Sequence, residues 1–323
     1  MENMINDKTN DLTQENIDAS QFEWVGQNIK QSEAIKRKSI SFWKDAFGRL
    51  KRDKGAVVFA IVLLIIILCA IFIPFISPYT ESMQHLEHVN AGAFFKGNGC
   101  FHIFGTDELG RDLFVRIWYG TRASLIIAFA SVVINCLIGV VYGGISGYFG
   151  GTVDNIMMRI VEIVNGIPYL LIVILLMTVM EQGMMTLIIA MISVGWVGMA
   201  RLVRGEVIRL KEQEFVIAAK SMGASATRII AKHLFPNILS IVIVNLTLAI
   251  PSAIFTEAFL SFIGLGIPVP GASLGTLSQS GITNFRYYPG QLLFPAFFIS
   301  ITMLSFNLLG DKLRDAFDPK LRR

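Results

Sequence analysis

The sequence predicts an all-α membrane protein of about six transmembrane helices. Three observations carry that reading. Hydrophobic residues make up 53% of the chain and charged residues 16%, with a mean hydropathy of +0.58, where soluble domains carry about a quarter charged residues. Apolar runs long enough for a hydrocarbon core of roughly 30 Å recur along the chain. Lysine and arginine gather in alternate segments between those runs, the pattern that orients membrane helices.

Composition also excludes classes. A net charge of +4, with no basic-aromatic motif, gives no reason to expect nucleic acid. Of the three cysteines, Cys69 and Cys136 lie in apolar runs and Cys100 in a loop. No pair has metal-ligand spacing and no disulfide framework is implied. His85 and His88 share one side of a helix, but two ligands fall short of a metal site. His102 and His233 stand apart. Neither metal nor cofactor is expected.

In chain order, residues 1–38 are polar and lack the apolar core of a cleaved signal peptide, so they read as a mobile tail. Residues 39–55 alternate Phe42, Trp43, Phe47 and Leu50 with Lys44, Arg49, Lys51, Arg52 and Lys54, as in a helix lying on an anionic membrane surface. A membrane domain over 56–310 follows, with spans near 56–75, 124–145, 156–180, 184–202, 238–264 and 292–309. An outer loop occupies 76–122, a second large loop 203–237, and a C-terminal tail 311–323. The flank before the first span, the 203–237 loop and the tail hold the basic residues. This puts both termini and that loop in the cytoplasm.

The 203–237 loop holds helix, break, helix. Phe215, Ala218, Ala219 and Met222 recur at helical spacing behind Glu214. Gly223 can take the left-handed conformation that ends a helix. Ser225 suits an N-cap, and Pro236 the first turn of the next span. Small side chains flanked by Phe215 and Met222 form a shape that fits a cleft in another protein. This stretch resembles the coupling (EAA) loop of ABC importer permeases, matching at Ala218, Ala219, Gly223 and Pro236. It departs at Ile217, where that motif begins with Glu, and at His233-Leu-Phe-Pro, where it ends Ile-x-Leu-Pro.

The outer loop carries Gly105-Thr106-Asp107-Glu-Leu-Gly110-Arg111-Asp112, then Arg116. Thr106 or Asp107 can cap a short helix, and Arg111 can pair with Asp107 or Asp112. These residues are similar to the Gly-Thr-Asp-x-x-Gly-Arg-Asp signature of dipeptide and oligopeptide permeases of the permease C type. Their first reading is structural, with receptor contact as the functional alternative. The segments 147–151, 257–266 and 307–319 resemble the same family.

Polar residues inside the spans are the remaining candidates: Glu162 and Asn165 in the third, and Asn245 and Glu257 in the fifth. Ionisable groups in lipid mark pathways or interhelical hydrogen bonds. Arg159 is placed to pair with Glu162, which favours packing there, whereas Glu257 could serve either purpose. Glycines at 139, 143, 144, 147, 195 and 198 would let helices approach closely.

No phosphate-cradling Gly-x-x-x-x-Gly-Lys-Ser/Thr is present, and no nucleophile–base constellation, so the chain is expected to be non-catalytic. The family resemblance implies a MetI-like permease fold in a bacterial cell membrane. It implies a heterodimer with a homologous permease subunit, two ATPase subunits at the cytoplasmic face and an extracytoplasmic peptide-binding receptor. Its substrate would be an oligopeptide or dipeptide, or, as in relatives, nickel, glutathione or another small solute. A stand-alone secondary transporter is the competing class. It would call for an internal repeat, and none is evident.

Overall fold

A computed structural model describes residues 42–97 and 99–317. The expectations for the 1–38 tail and for the last basic residues lie outside them. By its contacts the chain separates into Met1–Lys44 and Asp45–Arg323, and every membrane helix belongs to the second unit.

The first helix, α1 (Phe42–Arg52), ends in basic residues. Asp53 caps the next helix through the amide of Ala56. That helix, α2 (Lys54–Ile76), is apolar on every side. It leaves Val58, Leu64, Ile65 and Phe72 about half exposed, as a span facing lipid should. A two-stranded hairpin, β1 (Phe95–Gly97) and β2 (Cys100–His102), stands in the outer loop. The long helix α3 (Leu113–Phe149) follows, capped by Asp112, whose side chain accepts from the amide of Val115. Thr106 and Asp107, the expected caps, serve elsewhere in the loop.

Five helices are long and apolar enough to cross a membrane, or up to six if one bent pair counts as a single span. That pair corrects the expected continuous third span. It is α4 (Gly151–Gly166) and α5 (Tyr169–Val179), bent by 78°. Pro168 between them lacks an amide proton and pushes Ile167 into an extended conformation, φ −83° and ψ 127°. Beyond it, α6 (Met184–Lys211) runs past the expected end near residue 202, so the following loop is shorter. The short α7 (Glu214–Ser221) leads to α8, a helix over Ala226–Leu265 whose last turn is broken at Gly264, φ 89°. It has π-turns at Ile229–Leu234 and Ser261–Leu265. The first lies directly before Pro236, whose missing N–H interrupts the regular ladder. Then come α9 (Leu274–Thr283) and α10 (Gly290–Phe317). Helix α9 falls between the last two expected spans, where apolar patterning predicts only loop. Ser273 and Thr276 close a capping box at its start.

The most extensive pairing is α3 on α6. Gly139, Gly143 and Gly147 make it close: a Cβ on Gly143 would overlap the carbonyl oxygen of Ala200, and one on Gly139 would lie 2.6 Å from Met199 Cβ. Gly144 and Gly198 face open space, while Gly195 meets the Asn135 side chain. The main core joins α2, α3, α5, α6, α8 and α10, around residues such as Ile127, Leu187 and Ile254. A second cluster lies where α6, α7 and α8 meet, and a third where α3 meets α9.

Candidate functional site

The segment expected to couple to a partner follows directly on the end of α6. Asp154 at the start of α4 receives both arms of the Arg204 guanidinium, Nη2 at 2.6 Å from Oδ2, and a hydrogen bond from Ser146 of α3. Lys211 Nζ donates to the carbonyl of Gly147 at 2.9 Å. Three helix ends are thereby locked together beneath α7. Bidentate charge-assisted pairing of this kind fixes orientation as well as distance. Asp154 and Arg204 are 50 residues apart, and nothing in their local spacing announced the pair.

α7 has two sides. Val216 and Ala219 turn inward, each 3% exposed, and Val216 joins the cluster of Val203, Val207, Leu210, Ile229 and Leu234. Phe215, Ala218 and Met222 turn outward, with Met222 82% exposed. Glu214 is exposed in the first turn. The expected single face is therefore divided, and Ala219 belongs to the protein's own core. An exposed Phe and Met around an Ala, on a helix pinned from behind, is a preorganised surface.

The end of α7 is defined bond by bond. Ala224 N–H donates to the Ala219 carbonyl at 3.1 Å and Gly223 N–H to the Lys220 carbonyl at 3.0 Å. Gly223 sits at φ 81°. This is a Schellman motif with glycine at its left-handed position. Ser225 then caps α8 through the amide of Arg228. Pro236 is the second residue of the regular segment Phe235–Leu260, as its chemistry predicts.

Each residue of the outer-loop signature has an internal partner. The carboxylate of Asp107 accepts from the amides of Leu109 and Arg111 at 2.9 Å each, from Arg111 Nε at 2.7 Å and from Arg116 Nη1 at 3.1 Å. Thr106 Oγ1 donates to the carbonyl of His88 and accepts from the amide of Ala91. Gly105 and Gly110 have φ of 80° and 69°. A Cβ on either would overlap a backbone carbonyl oxygen, of Ala91 or His85 respectively. Thr106, Asp107, Arg111, Asp112 and Arg116 are all buried. Gln291 of α10 closes the loop from outside, donating to Asn90 Oδ1 and the Thr106 carbonyl.

The polar residues of the spans separate into three kinds. Glu257, 0% exposed, accepts from Ser124 Oγ at 2.6 Å and Ser261 Oγ at 2.7 Å, while Ser124 Oγ also accepts from the amide of Leu274. It joins α8, α3 and the start of α9. Glu162 does not glue helices together. It pairs at 2.9 Å with Arg159 on its own helix, with 57% of its side chain exposed, on the wall of a 740 Å³ cavity with Arg201 and Arg204. Asn165 on the same helix is exposed.

Asn245 lines a cavity of 510 Å³ between α3, α6 and α8, together with Ser131, Asn135, Tyr169, Ser252 and Thr256. Asn245 Nδ2 donates to its own helix, to the carbonyl of Ile241. Two lining atoms are buried without a hydrogen-bond partner in the chain: Asn135 Oδ1 and Tyr169 Oη. Asn135 could have been found in the sequence as an amide inside the second apolar run. Tyr169 could not, because its position depends on the bend at Pro168.

A bundle of apolar helices around an uncharged, largely apolar cavity with a few amide and hydroxyl groups, with a pinned surface helix at one end, defines a transport protein of the permease class. The chain belongs to the family described as binding-protein-dependent transport system inner membrane component, matched over residues 139–323. Residues 41–93 match the N-terminal TM domain of oligopeptide transport permease C. The oligopeptide transport system permease protein OppC of Bacillus subtilis is 50% identical over 96% of this chain and 100% of its own length. The dipeptide transport system permease protein DppC of that organism is 49% identical over 91% of each chain. OppC of Escherichia coli is 40% identical over 90% of this chain and 95% of its own. A chain of the inward-facing MetNI methionine ABC transporter overlays with a TM-score of 0.48 at 20% identity, covering 64% of this chain and 96% of that one.

Proposed function

We propose that this chain is the non-catalytic membrane subunit of an ABC importer for oligopeptides or dipeptides. With a homologous permease subunit it forms the translocation path. Two ATPase subunits dock on the α7 side, which is cytoplasmic together with both termini, and a peptide-binding receptor delivers from the other side. The basic residues flanking α2, around α7 and after α10 support this orientation. The names of the relatives support the peptide substrate. An uncharged, mostly apolar lining with a few convergent amides and hydroxyls agrees, because peptide backbones carry amide donors and carbonyl acceptors in alternation.

The observation that carries the reading is the outward face of α7: Phe215, Ala218 and Met222, held from behind by Val216 and Ala219. A helix docked in a groove conveys motion only if it cannot slide on its own support, and here the support is a buried cluster continuous with α6 and α8. ATP-driven closure of the ATPases would thus move α6 and α8, two of the helices that wall the Asn245 cavity.

The test is Ala218→Arg in the full transporter. It puts a long cation at the centre of the outward face, where a docked partner would have to desolvate it. Assembly with the ATPase subunits, read by co-purification, and uptake of a labelled peptide should both fall at least about tenfold, the equivalent of roughly 1.4 kcal/mol. The melting temperature of the isolated subunit should be unchanged. Normal attachment and normal uptake would reject α7 as the coupling element.

A further inference from the structure

The outer loop brings Cys100 beside the neighbouring histidines His85 and His88. One ligand atom from each of His85, His88 and Cys100 falls within 4.8 Å of the others. His85 Nε2 and His88 Nε2 are both buried without a hydrogen-bond partner, and His88 is 5% exposed. Buried polar atoms nearly always have partners, so two unpartnered ring nitrogens beside a thiol point to something that accepts their lone pairs.

With His102 as a neutral imidazole, the chain behind His88 determines which of its nitrogens carries the proton. Asp112 Oδ2 lies 2.7 Å from His102 Nδ1, and His102 Nε2 lies 3.4 Å from His88 Nδ1. A carboxylate can only accept, so His102 Nδ1 is protonated and its Nε2 presents a lone pair. His88 Nδ1–H donates to that lone pair, which leaves His88 Nε2 unprotonated. Nε2 is the atom that has no partner. Carboxylate–imidazole support behind a ligating histidine is the arrangement that orients metal ligands. Tyr79 and Phe95 wall the cluster, with ring centroids 5.6 Å from His85 and 5.0 Å from His88.

We propose that His85, His88 and Cys100 bind a borderline-soft divalent cation of the zinc type. Two imidazoles and a thiolate suit such an ion, with water as the fourth ligand. On binding, Cys100 loses its thiol proton to solvent as the sulfur–metal bond forms. Zinc–nitrogen bonds of about 2.0–2.1 Å and zinc–sulfur bonds of about 2.3 Å place tetrahedral ligand atoms roughly 3.5 Å apart. The three side chains would therefore close in by about an ångström. The ion would join the hairpin (Cys100), the Leu86–His88 turn and, through His102, the Asp112 cap of α3.

The experiment uses the purified full transporter, stripped of metal with a chelator. Zn²⁺ should slow alkylation of Cys100 by a water-soluble maleimide at least about tenfold, with a free model thiol in the same solution as the standard. Co²⁺ should give a thiolate-to-cobalt absorption that Cys100→Ser abolishes. His88→Ala should weaken Zn²⁺ binding, measured against a chromophoric chelator, by more than tenfold. His102→Gln, which removes the support behind His88 and no ligand, should weaken it by about 10–100-fold. The labelling arm needs no substitution and so does not depend on any variant folding. Cys100 labelling unaffected by Zn²⁺, or the same Co²⁺ spectrum in Cys100→Ser, would overturn the proposal.

Discussion

Gly143 and Gly144 are neighbours on α3, yet alanine should have opposite effects at the two. A Cβ at Gly143 would overlap the Ala200 carbonyl oxygen, 2.9 Å from the Arg204 amide nitrogen and 3.0 Å from Val203 Cβ. Ordinary contacts begin near 3.4 Å, so α6 must retreat by about an ångström. Overpacking of this kind typically costs about 1–3 kcal/mol. A Cβ at Gly144 meets nothing within 4 Å, leaving only the helix-propensity gain of about 1 kcal/mol for Gly→Ala. Both variants share that gain, so it cancels in the comparison, and the difference isolates the α3–α6 contact at about 1–3 kcal/mol. Unfolding in detergent, followed by tryptophan fluorescence, should show Gly143→Ala less stable than Gly144→Ala by that margin. Peptide uptake should fall in the former alone, because α6 carries α7. Equal stabilities would mean that α3 and α6 are not held at the separation described, and the account of how α7 is positioned would fall with it.

Gly223→Val should raise the energy of the left-handed Schellman position by about 1–2 kcal/mol. With nothing within 4 Å of the added Cβ, the effect should appear as a frayed α7 in hydrogen exchange, with the spans unaffected. Ala219→Arg, unlike Ala218→Arg, forces a charge into the cluster beneath α7, and the isolated subunit should melt earlier or fail to accumulate. Asp107→Asn strips the charge from the partner of two buried guanidiniums; a loss of about 3–5 kcal/mol is expected, read as protease sensitivity of the outer loop. A reporter active only in the cytoplasm should work fused after Asp318 and not after Gly99; the reverse pattern would sink the proposed orientation.

The fold class was legible because a span is a composition before it is a structure: about twenty apolar residues suffice to announce it. The same reasoning failed where one residue overrides composition. Residues 156–180 are apolar enough for one span, but Pro168 removes an amide proton and splits the run into α4 and α5. At α7, periodicity brought Phe215, Ala218, Ala219 and Met222 together, because helical spacing is local. Which of these faces the protein depends on where Val203, Ile229 and Leu234 lie, and that is set by tertiary packing. Asp154 with Arg204, and Cys100 with the two histidines, were invisible for the same reason.

Glu257 shows how burial changes the meaning of a residue type. A carboxylate in an apolar run reads first as a transport group, since its burial is so unfavourable that a function must be sought. The function found is architectural. Two serine hydroxyls, from α3 and from its own helix one turn on, donate to its two oxygens, and the α3 serine also accepts the first amide of α9. Without Glu257 the hydroxyl of Ser124 would lose its acceptor at the point where three elements meet. The Asn245 cavity presents the opposite case. There Asn135 Oδ1 and Tyr169 Oη are buried and have no partner in the chain. Polar groups that hold a structure together are saturated by it, whereas groups that must hold something transient are left with capacity to spare. By that criterion we propose that the path lies along Asn135, Tyr169 and Asn245, with Glu257 as part of its frame.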